Sequence, residues 1–202
     1  MTSSLHWIII GFITFAVIIF IMLMSWGIFS KSPVTSMSGI TRVGSTAPDF
    51  TLQLFSGDEI IMSELVGNSV VINFWNPLCQ PCRDEATGLE HTWNKYRENN
   101  VIFIGIDTPI IPDSEVMALE YLEEFGITYP NGRDVDGRVT VEYGVIGLPV
   151  TFFVDDAGIV VSRWVGSIPE DRLISWVDSI SSKGAIPKNP ERDNLGSYYL
   201  PD

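Results

Sequence analysis

Both cysteines of the chain, Cys79 and Cys82, fall in one short stretch, NFWNPLCQPCRDE at residues 73–85. Two thiols at this spacing can help hold a metal, close a structural disulfide or exchange disulfides. Zinc needs four ligands, usually from a second CxxC or a histidine pair. The chain has only two cysteines and two histidines. His6 lies beside an apolar N-terminal run and His91 within a predicted helix, so no ligand set forms and no metal is expected. A structural disulfide gains most by closing a long loop, and a two-residue gap closes almost none. A peroxidatic cysteine would sit in PxxxTxxC, but Ile72 and Asn76 occupy the proline and threonine positions. Exchange chemistry does have a mechanism here. One thiolate attacks a substrate disulfide, and a second, nearby thiol resolves the mixed disulfide. The pattern puts Cys79 where a strand ends and a helix begins, so N–H groups and the helix dipole can stabilise its thiolate. Cys82 follows one turn on. Pro81 falls in the first turn, where a missing N–H costs little.

The flanking sequence supplies elements to hold that turn. DFTLQL at 49–54 alternates with period two, SGDE marks a turn and IIM resumes, which predicts a hairpin. SVVINFW (69–75) and VIFIGID (101–107) are continuous β-favouring runs, as for strands buried on both faces. Cys82, Ala86, Leu89, Trp93 and Tyr96 recur at spacings of four and three, one face of a helix. A second helix is predicted over 113–126, capped by an acidic start and stopped by Gly126, and a short one over 137–144. VTFFVD, a DAG turn and IVVSRWV form a second hairpin, and 167–180 a closing helix with Pro169 near its first turn. The order β-α-β-α-β-β-α predicts an α/β sandwich with helices on both faces of a central sheet.

Residues 7–30 are apolar and uncharged. A bilayer core needs about 20 such residues in a helix, whereas a cleaved signal has a shorter apolar stretch and a small-residue cleavage site. An uncleaved anchor is expected at 7–30, after a flank at 1–6. A Ser-, Thr- and Gly-rich linker follows at 31–45, then a globular domain at 46–185 and a proline-bearing tail at 186–202. Lys31 and Arg42 follow the apolar run while residues 1–6 hold no Lys or Arg, a weak bias towards a cytoplasmic domain. All charged residues lie after the anchor, 12 Lys+Arg against 25 Asp+Glu, net −13. Such a surface repels phosphate backbones and argues against nucleic acid as a partner.

INFWNPLCQPCRDE, then GVIGLPVTFFVDDAGIVVSRWVG, then a closing helix together resemble the thioredoxin superfamily over residues 45–183. Within it the chain is similar to the membrane-anchored TlpA/ResA/DsbE (CcmG) type. The anchor, Asn73 in place of a buried aspartate, Glu85 three residues past Cys82 and the hairpin APDFTLQLFSGDEIIMSEL carry that likeness. A tryptophan usually precedes the first cysteine in this group, and here Leu78 stands there, after Asn76 and Pro77. The resemblance implies a thioredoxin-like three-layer sandwich with an N-terminal hairpin extension, preceded by one transmembrane helix. It implies Cys79 as nucleophile and Cys82 as resolving thiol, the two forming the redox disulfide. Pro149 would be a cis proline facing it, and Leu148 would offer backbone groups to an extended substrate segment. Trp75, Pro77 and Leu78 would border the substrate. Glu85 would relay protons to the thiols. Its rival role is a first-turn carboxylate favouring the helix dipole.

The expected function is a membrane-anchored reductant of protein disulfides on the outer face of the cytoplasmic membrane. This orientation runs against the weak charge bias. The resemblance implies protein thiol or disulfide substrates such as apocytochrome c, and a membrane thiol electron donor of the CcdA/DsbD kind. No cofactor is needed, because the cysteines carry the electrons. A disulfide-donating oxidant of secreted proteins is the alternative within the class. A copper metallochaperone is the alternative outside it, since soft thiolates suit Cu(I). Copper carriers on this fold usually have CxxxC and a distal histidine, and neither is present.

Overall fold

The computed structural model describes residues 41–181, together with Phe15 alone from the N-terminal run. The predicted anchor at 7–30, most of the linker and the tail at 186–202 lie outside the described residues. Among the described residues no helix is long and apolar enough to cross a membrane.

Seven strands, four helices and a 3-10 turn follow one another from residue 51 to 181. A hairpin, β1 (Thr51–Gln53) and β2 (Glu59–Ile61), leads through a 3-10 turn (Met62–Leu65) to β3 (Ser69–Trp75). Then come α1 (Gln80–Tyr96), β4 (Val101–Asp107), α2 (Glu115–Glu124), β5 (Asn131–Arg133) and α3 (Arg138–Glu142). β6 (Val150–Val154), β7 (Val160–Val165) and α4 (Glu170–Ser181) complete the domain. The main sheet has the order β5-β4-β3-β6-β7. β3 pairs parallel with β4 and antiparallel with β6, so the sheet is mixed.

All seven residues of β3 are buried, as its unbroken apolar run requires. Alternate residues feed two cores. Val71, Phe103, Phe153 and Val161 meet Leu89 and Tyr96 of α1 and Leu173, Trp176 and Val177 of α4. Val70, Ile72, Phe74, Ile104, Ile106 and Phe152 meet Val139 and Tyr143, from α3 and its C-cap, with Phe50, Leu52 and Met62 of the hairpin region. Full burial of each such side chain is worth roughly 1.5–3 kcal/mol. The predicted sandwich, with helices on both faces, is therefore present, and the predicted N-terminal hairpin packs on one of them.

That hairpin reaches the outermost strand β5 through Phe55 N–H to the Asn131 carbonyl (2.9 Å) and a bridge between Leu54 and Gly132. Gly132 is required there, because a Cβ would stand 2.3 Å from the Gln53 carbonyl oxygen. On the opposite side, residues 44–47 run along the start of β7. Gly44 N–H donates to the Val160 carbonyl and Val160 N–H to that of Ser45. One strand, β5, has no counterpart in the sequence reading. β5 is the short NGR, whose Asn-Gly pair reads as a turn and whose partners lie far off in the chain.

Candidate active site

Cys79 is the N-cap of α1, with extended backbone, and Cys82 lies three residues inside. The Cys79 Sγ accepts from the Cys82 N–H at 3.3 Å, and the two residues are joined in a disulfide with Cα atoms 5.3 Å apart. Cys79 is 6% exposed and Cys82 1%, so the outer sulfur is the one a partner can approach. Pro81, at the second helical position, removes an N–H that would have no helical partner. Leu78, immediately before, is 51% exposed.

Strand order brings the rest to the same place. β6 runs antiparallel to β3, with Phe74 opposite Val150, so the start of β6 lies beside the end of β3. Pro149 is buried there, and its bond to Leu148 is cis. Leu148 is half-buried against the cluster of Cys79, Cys82, Ala86 and Trp75. Pro77 is buried, with Arg83 donating to its carbonyl at 3.4 Å. Trp75 differs from its expected place at the substrate border. It is 1% exposed and stacks on Tyr121 at 4.4 Å, and its Nε1 donates to Asn131 Oδ1 at 2.9 Å. Its ring is a floor beneath the disulfide. Tyr121 also donates to the Cys82 carbonyl at 3.1 Å. Neither Tyr121 nor Asn131 has a local sequence signal that would have found it.

Glu85 is 3% exposed, on the inner face of α1. Asn73 Nδ2 donates to its Oε1 at 2.8 Å and also to Thr151 Oγ1 at 3.0 Å, while the Ile168 N–H donates to Oε2 at 2.7 Å. These donors favour the ionised carboxylate, but burial outweighs them and raises the pKa from 4.5 to about 7. A second buried acid, Asp107, ends β4 opposite Trp75. Burial and the neighbouring Asp113 carboxylate raise its pKa to about 7, against the pull of Arg133. Arg133 donates through Nε to Asp107 at 2.8 Å and through an Nη to Asp113 at 2.6 Å. Asp107 Oδ1 and Thr108 Oγ1 have no hydrogen-bond partner. Among the described residues no group of three or more His, Cys, Asp or Glu could hold a metal ion.

A CxxC disulfide at a strand-to-helix junction, beside a cis proline on this sheet, defines a thioredoxin-like thiol–disulfide oxidoreductase. The comparisons agree. The chain belongs to the AhpC/TSA family, whose model matches residues 43–163. It is 27% identical over 140 residues to "Thiol-disulfide oxidoreductase ResA" of Bacillus thuringiensis (strain Al Hakam), spanning 69% of this chain and 79% of that one. ResA of Geobacillus thermodenitrificans is 30% identical over 138 residues, 68% of this chain and 78% of that one. Among solved structures, a thiol:disulfide interchange protein of the thioredoxin family from Chlorobium tepidum superposes with a TM-score of 0.62 at 23% identity. That match covers 70% of this chain and 98% of that one, and it shows the shared fold.

Proposed function

We propose that this protein is a membrane-anchored reductant of extracytoplasmic protein disulfides, held by residues 7–30 with its catalytic domain outside the cell membrane. The observation that carries the exchange reading is the placement of the pair: Cys79 at the rim and N-cap, Cys82 buried one turn behind. The reduced Cys79 thiolate attacks a substrate disulfide, forming a Cys79–substrate bond and releasing one substrate thiol. Cys82 then attacks Cys79, forming the Cys79–Cys82 disulfide and releasing the second. Two electrons and two protons pass to the substrate. Glu85, with a pKa near neutrality, holds and returns protons behind the pair. Leu148 and Pro149 border the substrate backbone and Leu78 its side chains. The names of the ResA relatives support this reading, as does the resemblance of the anchor and motifs. Apocytochrome c thiols are the proposed substrate, and a membrane thiol transporter of the CcdA/DsbD kind the proposed donor.

The first test is the reduction potential of the pair, equilibrated against glutathione or dithiothreitol. A value near or below about −270 mV supports the reductant, while one towards about −120 mV turns the protein into a disulfide donor. Orientation is tested with a C-terminal tag and protease added to intact cells. A protected tag overturns the outside placement.

A further inference from the structure

Asn76 is fully buried, and every polar atom of its side chain is engaged. Its Nδ2 donates to the carbonyls of Thr108 (3.2 Å) and Ile111 (2.9 Å), and its Oδ1 accepts from the Leu78 N–H at 3.0 Å. Its own carbonyl accepts from the Cys79 N–H at 3.1 Å. The carboxamide thus spans two loops that are distant in sequence. One ends in the nucleophile. The other, between β4 and α2, carries Ile110, which is 38% exposed, and Ile111, packed against the Cys79–Cys82 cluster. The second loop is pinned at both ends. Thr108 N–H donates to the Trp75 carbonyl, and Asp113, also within reach of Asn76, is held by Arg133.

We propose that Asn76 is a positioning residue of the exchange reaction, locking the Leu78–Cys79 turn and the Ile110–Ile111 lip into one unit. The inference rests on the exchange reading of Cys79. The physical consequence lies in the cap. The Cys79 sulfur meets the Cys82 N–H only while the preceding turn holds its backbone extended, and a thiolate there draws on N–H groups and the dipole of a 17-residue helix. If the turn is released, the sulfur leaves that field. The lip loses its anchor at the same moment, since the same side chain holds both.

The test uses the reduced full-length chain in detergent. The rate of Cys79 alkylation by iodoacetamide is followed against pH by mass spectrometry for wild type, Asn76→Ala and Asn76→Asp. The Asn76→Asp variant keeps the acceptor for the Leu78 N–H but loses both donors to the lip. We expect the alkylation midpoint to rise in both variants, with a rate at pH 7 lower by about threefold to tenfold, as a rise of up to one pKa unit requires. Amide hydrogen exchange across residues 108–112 should quicken in the same variants. Because Asn76→Asp also brings a carboxyl whose charge would raise the Cys79 midpoint by itself, only its hydrogen exchange is decisive, and the neutral Asn76→Ser carries the alkylation test should Asn76→Ala not fold. Profiles that overlay wild type, with altered stability alone, overturn the proposal and leave Asn76 as a packing residue. A wild-type midpoint at an ordinary thiol value near 8.5, or alkylation at Cys82 first, would instead sink the exchange reading beneath it.

Discussion

At Glu85 the chain accepts an energetic cost close to its disulfide. For a carboxyl whose folded pKa is raised, the protonated form favours the fold. That stability is fully present below the ordinary value of 4.5 and is lost as pH rises through about 7. Glu85→Gln should flatten this slope. Denaturant titrations at pH 5 and pH 8 should show the variant gaining on wild type at the higher pH, by up to about 3 kcal/mol if the full shift is released. Asp107, displaced in the same direction, keeps part of the slope in the variant. If Glu85 also serves the thiols, the pH profile of exchange loses its inflection near neutrality in the same protein. An unchanged profile would reduce Glu85 to a structural acid. The cysteines separate just as simply. Cys82→Ser should accumulate a mixed disulfide with a peptide substrate, detectable by mass, while Cys79→Ser should accumulate none.

At the level of elements, the floor under the disulfide depends on a glycine. Gly105 of β4 lies beneath the Trp75–Asn131 hydrogen bond. A Cβ there would meet Asn131 Oδ1 at 1.8 Å and Trp75 Nε1 at 2.9 Å. Gly105→Ala should therefore break that bond and cost about 1–3 kcal/mol by overpacking, read as a lower melting midpoint together with a shifted tryptophan emission. The strand–CxxC–helix junction, the second hairpin and the closing helix were legible in the sequence because local signals mark them: period, caps and turn residues. Cys79 at the N-cap was legible for the same reason, whereas Pro149, just before β6, was marked only by the family resemblance. What stayed hidden was made by contacts between distant segments. Ile168 donates to Glu85 from 83 residues away, and β5 exists only because β4 and the hairpin pair with it. Asn76 has no readable role in the sequence until Thr108 and Ile111 stand beside it. The family resemblance makes Trp75 a candidate substrate contact, and only its stacking on Tyr121 turns it inward.

For the whole molecule, the net charge of −13 favours encounter with basic over acidic partners. On the proposed function, basic partners would be drawn to the protein by this charge, while Leu78, Ile110 and Leu148 beside the cysteine turn carry none. Reduction of a lysine-rich peptide disulfide should slow as salt is raised from about 10 mM to about 1 M, where screening shortens from about 30 Å to about 3 Å. A neutral peptide with the same apolar flanks should show little change. Equal salt dependence for both would assign the rate to the cysteine turn alone.

The two stretches of chain just ahead of β3 also have a bearing on how copies of this protein coexist. A sheet end with free N–H and C=O groups is a template for another strand. Here residues 44–47 pair with the start of β7 and the hairpin bridges to β5, so one continuous run of chain pairs at both edges of the sheet. Colloidal behaviour is thus entrusted to the segment that leaves the proposed anchor. A protease cut between residues 47 and 51 would leave the cysteines in place yet free one flank. The expected product is a species that still exchanges disulfides but accumulates as strand-paired aggregates.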